Sequence, residues 1–183
     1  KGTKSSWGLV AKLFHWSLAL LLFWQVATGI SLHNMEFSPV KMGFIITHKF
    51  FGTIIFSLVV LRLMWKYIFN NHPKYENIPL FHRLVSNLVH FTLYGLVIFI
   101  PIQGTYMTWL EGGDVYLLGL IKIPSLIEEN FILYPLALNI HYYSALILTA
   151  LFSLHILAAL YHRFIIRDKY GVWKRMVFKR SKV

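Results

Sequence analysis

The chain has 183 residues, a formal net charge of +11 and a mean hydropathy of +0.58. At 57% hydrophobic it exceeds the roughly 45–50% of an ordinary soluble domain, which points to a membrane protein. Cysteine is absent. Disulfides, cysteine-ligated zinc, iron–sulfur clusters and haem attached through a Cys-x-x-Cys-His motif are therefore excluded, and any redox cofactor must rest on histidine, methionine or tyrosine.

In chain order, four apolar runs reach the ~20 residues that a membrane helix needs. The first covers about residues 9–32 and carries His15. It is longer than the core of a cleavable signal, so it reads as a retained span. The second, about 43–69, carries His48, Lys49, Gly52 and Arg62. The third, about 81–110, carries His90, and Pro101 with Gly104 predicts a bend in its distal half. The connection 111–132 is made irregular by Gly112, Gly113 and Pro124, with a short surface helix expected over 125–130. The fourth span, about 133–166, carries His141, His155 and His162. The basic tail 167–183 interleaves Trp173, Met176 and Phe178 and predicts an amphipathic helix on an anionic leaflet. Trp7, Trp16, Trp24, Trp65 and Trp109 fall toward span ends, as an aromatic belt would. No internal repeat, low-complexity tract or second domain is evident, so residues 1–183 read as one integral membrane domain.

Lysine and arginine set the orientation. Fifteen of the eighteen basic residues fall at the N-terminus, around the 66–83 loop or at the C-terminal end, offset only by Glu76 and Asp168, a balance of +13. The opposite side sets Lys41, Lys49 and Lys122 against Glu36, Glu111, Asp114, Glu128 and Glu129, a balance of −2. The large positive charge is thus a topology signal, and nucleic-acid binding is the weaker explanation. The expected fold is all-α, a transmembrane antiparallel four-helix bundle with both termini cytoplasmic.

That topology gives each histidine a depth. His141 and His155 are fourteen residues apart, which in a helix is about 21 Å of rise and four turns less roughly 40°. Both imidazoles therefore face nearly one way at two depths. His15 falls level with His155 in the inner half, and His48 level with His141 in the outer half. Ionisable groups in a membrane are costly and are kept mainly for function. Bis-imidazole ligation holds a b-type haem without a covalent link and leaves the iron no open position, which suits electron transfer. The pairing predicts two haem b groups, held by His15/His155 and His48/His141. Arg62 and Lys49 are candidate partners of the inner and outer propionates, and Gly52, one turn beyond His48, offers clearance. His90 and His162 are candidate contacts to a quinone or a propionate. His33, His72 and His82 lie in or beside loops and are expected to be solvated.

These features together resemble the bacterial four-helix cytochrome b561 family, the small di-haem proteins that include superoxide oxidase. The residues that carry the resemblance are Phe14-His15-Trp16, His48 with Gly52, and Arg62. They continue with His90 and Tyr94, Pro101 and Gly104, then His141 and His155 at their fourteen-residue interval, His162 and the basic tail. The resemblance implies residence in the bacterial inner membrane, two b haems on the four paired histidines and electron exchange with the quinone pool, ubiquinone being the expected substrate. Three functions follow from these readings. The first is a stand-alone oxidoreductase passing electrons from an outer donor, such as superoxide, to ubiquinone. The second is a cytochrome b subunit anchoring a periplasmic dehydrogenase, reductase or hydrogenase; an outer balance of −2 favours a cationic protein over an anionic donor. The third, a histidine-lined metal or proton transporter, is disfavoured because ligands about 21 Å apart cannot share one ion.

Overall fold

A computed structural model describes residues 2–3, 6–69 and 78–178. Lys1, Lys4, His72, Lys74, Glu76, Lys179, Arg180 and Lys182 lie outside the described residues. Four helices, each long and apolar enough to cross a membrane, dominate the chain: α1 (Leu9–Asn34), α2 (Pro39–Met64), α3 (Leu80–Leu110) and α4 (Tyr134–Phe164).

Local signals explain where these helices begin. The second helix starts four residues ahead of the hydropathy boundary because Ser38 caps it, accepting from the Lys41 N–H at 3.2 Å, with Pro39 at the first helical position. Beyond Met64 it passes into a π-helical turn, Trp65–Phe69, where a plain continuation was expected. Asn130 prepares the fourth helix: its Oδ1 accepts from the N–H groups of Ile132 and Leu133 at 3.1 and 3.0 Å. The third runs unbroken through Pro101 to Leu110.

Packing joins α1 to α2, α2 to α3, and α3 to α4. The core is a thin layer of Leu18, Ile55, Val59, Val97 and Leu148. Leu148 lies seven residues from both His141 and His155, so this layer sits midway between their levels, about 10 Å from each. Most other large apolar side chains face outward, as they should in a lipid solvent.

Two expectations fail between and after the helices. Residues 125–130 form no helix; the connection instead folds a two-stranded antiparallel hairpin, β1 (Val115–Leu117) with β2 (Ile121–Ile123), so the fold is mostly rather than wholly helical. Its turn places Leu118 and Gly119 at φ 54° and 72°, the left-handed region that suits a tight hairpin. The Leu118 N–H bonds Thr53 Oγ1 at 3.1 Å, docking the turn on α2. At the hairpin's base, Asp114 bonds Lys122 at 2.8 Å and holds the ammonium above its ordinary pKa, chiefly by that hydrogen bond.

The described part of the basic tail is not an amphipathic helix. It is a run of turns with a single 3-10 turn, Trp173–Arg175. Asp168 organises it: 5% exposed, its carboxylate accepts from the N–H groups of Trp173 and Lys174 at 2.9 and 3.1 Å. The tail then clamps α1, where Lys12 Nζ donates to the Val177 carbonyl at 2.8 Å and Trp16 Nε1 to that of Met176 at 3.0 Å. The Trp7 N–H bonds the Arg175 carbonyl, so the two terminal segments meet at one end of the molecule.

Candidate functional site

The structure brings together both imidazole pairs expected from the spacing. His48 of α2 faces His141 of α4, with ring centroids 6.3 Å apart and ring planes at 73°. His15 of α1 faces His155 of α4 at 6.2 Å and 77°. The fourth helix is continuous from one level to the other, so the fourteen-residue interval keeps its rise of about 21 Å.

Around His48 and His141 the support is polar and tightly fitted. His48 Nδ1 lies 3.1 Å from Thr28 Oγ1, and Gln25 Nε2 donates to the His48 carbonyl at 3.0 Å. His141 Nδ1 lies 2.9 Å from Gln103 Oε1. Two glycines make room for the rings. A Cβ on Gly29 would sit 3.3 Å from His48 Cε1, and one on Gly104 would sit 3.0 Å from His141 Cε1. Gly52 faces the Gln25 amide of α1 instead, at 3.4 Å, and serves the approach of the two helices. Lys49 is engaged elsewhere: its Nζ pairs with Glu111 Oε1 at 2.9 Å, both side chains about one-third exposed.

The His15/His155 level is built differently. His90 packs on His155 with centroids 5.2 Å apart, and its Nδ1 lies 3.3 Å from Ser86 Oγ. Arg62 Nε donates to the Tyr94 hydroxyl at 2.9 Å, and Lys66 lies 5.1 Å from the Tyr94 ring centroid. Arg62 is within electrostatic reach of His15, His90 and His155. One layer further toward the termini, His162 meets His82 and Tyr170 with centroids at 6.0 and 6.2 Å. Its Nδ1 is buried without a partner among the described residues. His82 is exposed, as expected of a solvated histidine, and also touches this cluster. His33 stacks on Tyr142 at 4.1 Å and 17°.

Sequence reasoning missed Thr28 and Gln103, and it read Gly104 only as a bend. A signal existed: the chain has two glutamines, Gln25 and Gln103, and both lie inside spans and touch the His48/His141 pair.

Four membrane-length helices define a multi-pass membrane protein, and opposed imidazoles at two levels are an arrangement able to hold haem without covalent attachment. A family model described as prokaryotic cytochrome b561 matches residues 6–179, and the chain belongs to that family. It is 25% identical to cytochrome b561 homolog 2 of Escherichia coli (strain K12) over 186 residues, covering 98% of this chain and 95% of the relative. It is accordingly a multi-pass bacterial membrane protein, and membership implies b-type haem and transmembrane electron transfer.

The residues present fit that cofactor. Metal–nitrogen bonds of about 2 Å on opposite sides of one iron put imidazole centroids about 6 Å apart. Both pairs have this spacing, and the His90 and His155 rings, 5.2 Å apart, do not.

Proposed function

We propose that the protein carries electrons across the bacterial inner membrane between a donor at the hairpin end and ubiquinone near the terminal end. His48 with His141 and His15 with His155 would hold two b haems, which supply one-electron chemistry when bound. The observation that carries this reading is the pair of matched centroid distances, 6.3 and 6.2 Å, on one continuous α4. The excess of positive charge at the end where the termini meet supports an antiparallel bundle with both termini in the cytoplasm.

The chain's own residues have defined tasks in this reading. Thr28 and Gln103 orient the outer imidazoles, while Gly29 and Gly104 let the neighbouring helices approach them. Arg62 is the candidate propionate partner of the inner pair. Its Nε is committed to Tyr94, and among the described residues its other two nitrogens make no hydrogen bond, which leaves them available to a carboxylate. Lys49 would serve an outer propionate only by sharing or leaving Glu111. The buried Nδ1 of His162 is a candidate donor to a quinone carbonyl, with His82 and Tyr170 beside it. His90 stays a candidate contact to the inner cofactor's rim or to the quinone.

Two donors fit the hairpin end. Superoxide is one. A cationic redox protein is the other, favoured by the exposed Glu128 and Glu129. Stopped-flow reduction of the purified protein by superoxide, with and without a ubiquinone analogue, tests the scheme. Rapid b-haem reduction, followed by reoxidation only when the quinone is present, is the expected result. A protein whose spectrum answers to neither partner would refute it.

A further inference from the structure

We propose that Thr28 and Gln103 are positioning residues that give the His48/His141 centre the lower reduction potential of the two. This rests on the ligand pairs set out above.

The argument begins with where the hydrogens must lie. The Thr28 hydroxyl donates to the Gln25 carbonyl at 3.0 Å. Its oxygen is then left to accept, so the proton shared with His48 sits on His48 Nδ1. Gln103 behaves alike. Its Nε2 donates to the Ala137 carbonyl at 2.5 Å, which turns Oε1 toward His141 and requires the proton on His141 Nδ1. Both rings are thereby fixed in the tautomer that leaves Nε2 bare for a metal.

An acceptor on Nδ1–H also draws that proton outward and makes the ring a stronger donor at Nε2. Greater donation stabilises the oxidised metal over the reduced one, which lowers the potential. Gln103 is 7% exposed and Thr28 is 2% exposed, so water does not dilute either interaction.

The other pair lacks these acceptors. Among the described residues, neither His15 nor His155 makes a hydrogen bond through its ring. Lys66 lies there against Tyr94, 5.1 Å from its ring centroid, with no carboxylate partner among the described residues. Fixed positive charge favours the state with one electron more. At the His48/His141 level the adjacent cation, Lys49, is neutralised by Glu111 at 2.9 Å. All three differences act in one direction and make transfer from the hairpin end toward the terminal end downhill.

Potentiometric titration of the purified holoprotein, followed in the visible spectrum and by electron paramagnetic resonance, tests this. In the unaltered protein, the component lost in His141→Ala must be the lower-potential one. Thr28→Val and Gln103→Met should each raise the reduced-to-oxidised ratio of that component about threefold to tenfold at a fixed ambient potential, tenfold being 59 mV for one electron. The other component should not move, and Thr28→Ser should restore the original value. Should Thr28→Val fail to assemble, Gln103→Met carries the test alone. An unchanged or lowered ratio, an equal shift of both components, or a higher starting potential for the His141-dependent component would overturn the proposal. A haem content below two per chain in the unaltered protein would instead defeat the ligand assignment beneath it.

Discussion

Gly104→Ala isolates the steric half of the site. The added Cβ would lie 3.0 Å from His141 Cε1 and 3.3 Å from its Nδ1, where ordinary carbon contacts begin near 3.5 Å. The ring must retreat by about 0.5 Å, which is the tolerance within which a preorganised ligand still serves its metal. Such overpacking costs about 1–3 kcal/mol. Replacing a mid-helix glycine by alanine returns up to about 1 kcal/mol on aqueous scales. The mid-range balance is a loss of about 1.5 kcal/mol, or roughly tenfold weaker retention of the cofactor at that level. Gly95→Ala is the control, because nothing lies within 4 Å of its added Cβ. The assay is haem titration into purified apoprotein, resolved by spectral component. Equal haem affinity and identical spectra for the Gly104→Ala and Gly95→Ala proteins would refute the reasoning.

Gly29→Ala should weaken the same component less than Gly104→Ala, since its Cβ clears His48 Cε1 by 3.3 Å; the same titration checks this. Asp168→Ala strands two backbone N–H groups and should cost about 1–3 kcal/mol, seen as faster hydrogen exchange over residues 170–178 with the haem content intact. Glu111→Gln breaks a part-exposed ion pair, so stability should change by less than about 1 kcal/mol. It also frees the Lys49 charge, and reduction by superoxide should quicken at low ionic strength and lose the gain in high salt. No salt-dependent gain would remove Lys49 from any steering role. Tyr94→Phe removes one acceptor from Arg62 and should cost about 1 kcal/mol in thermal unfolding.

The four spans were legible because membrane helices write themselves as long apolar runs, and the imidazole pairs because a helix converts residue intervals into depth. Less legible were features set by short-range chemistry. The Ser38–Pro39 start lies outside the apolar run, so hydropathy placed the boundary at 43 while the cap placed it at 39. The hairpin strands are three residues each, too short for alternation to register, and their turn needs a left-handed Leu118 that residue type does not announce. The tail looked amphipathic, but Asp168, counted only as a charge, folds inward and caps the backbone there. Lys49 was read through its neighbour His48, whereas its partner, Glu111, is 62 residues away. Thr28 and Gln103 were unremarked because a single polar residue in a span gives no sign of which imidazole it faces.

The central claim is two bis-imidazole centres at two depths, and the haem-to-chain ratio of purified protein tests it most directly. Two b haems per chain are predicted, with one remaining in His141→Ala and a spectrally distinct one remaining in His155→Ala. A single haem in the unaltered protein, or loss of both from each variant while its helical content is unchanged, would contradict the account.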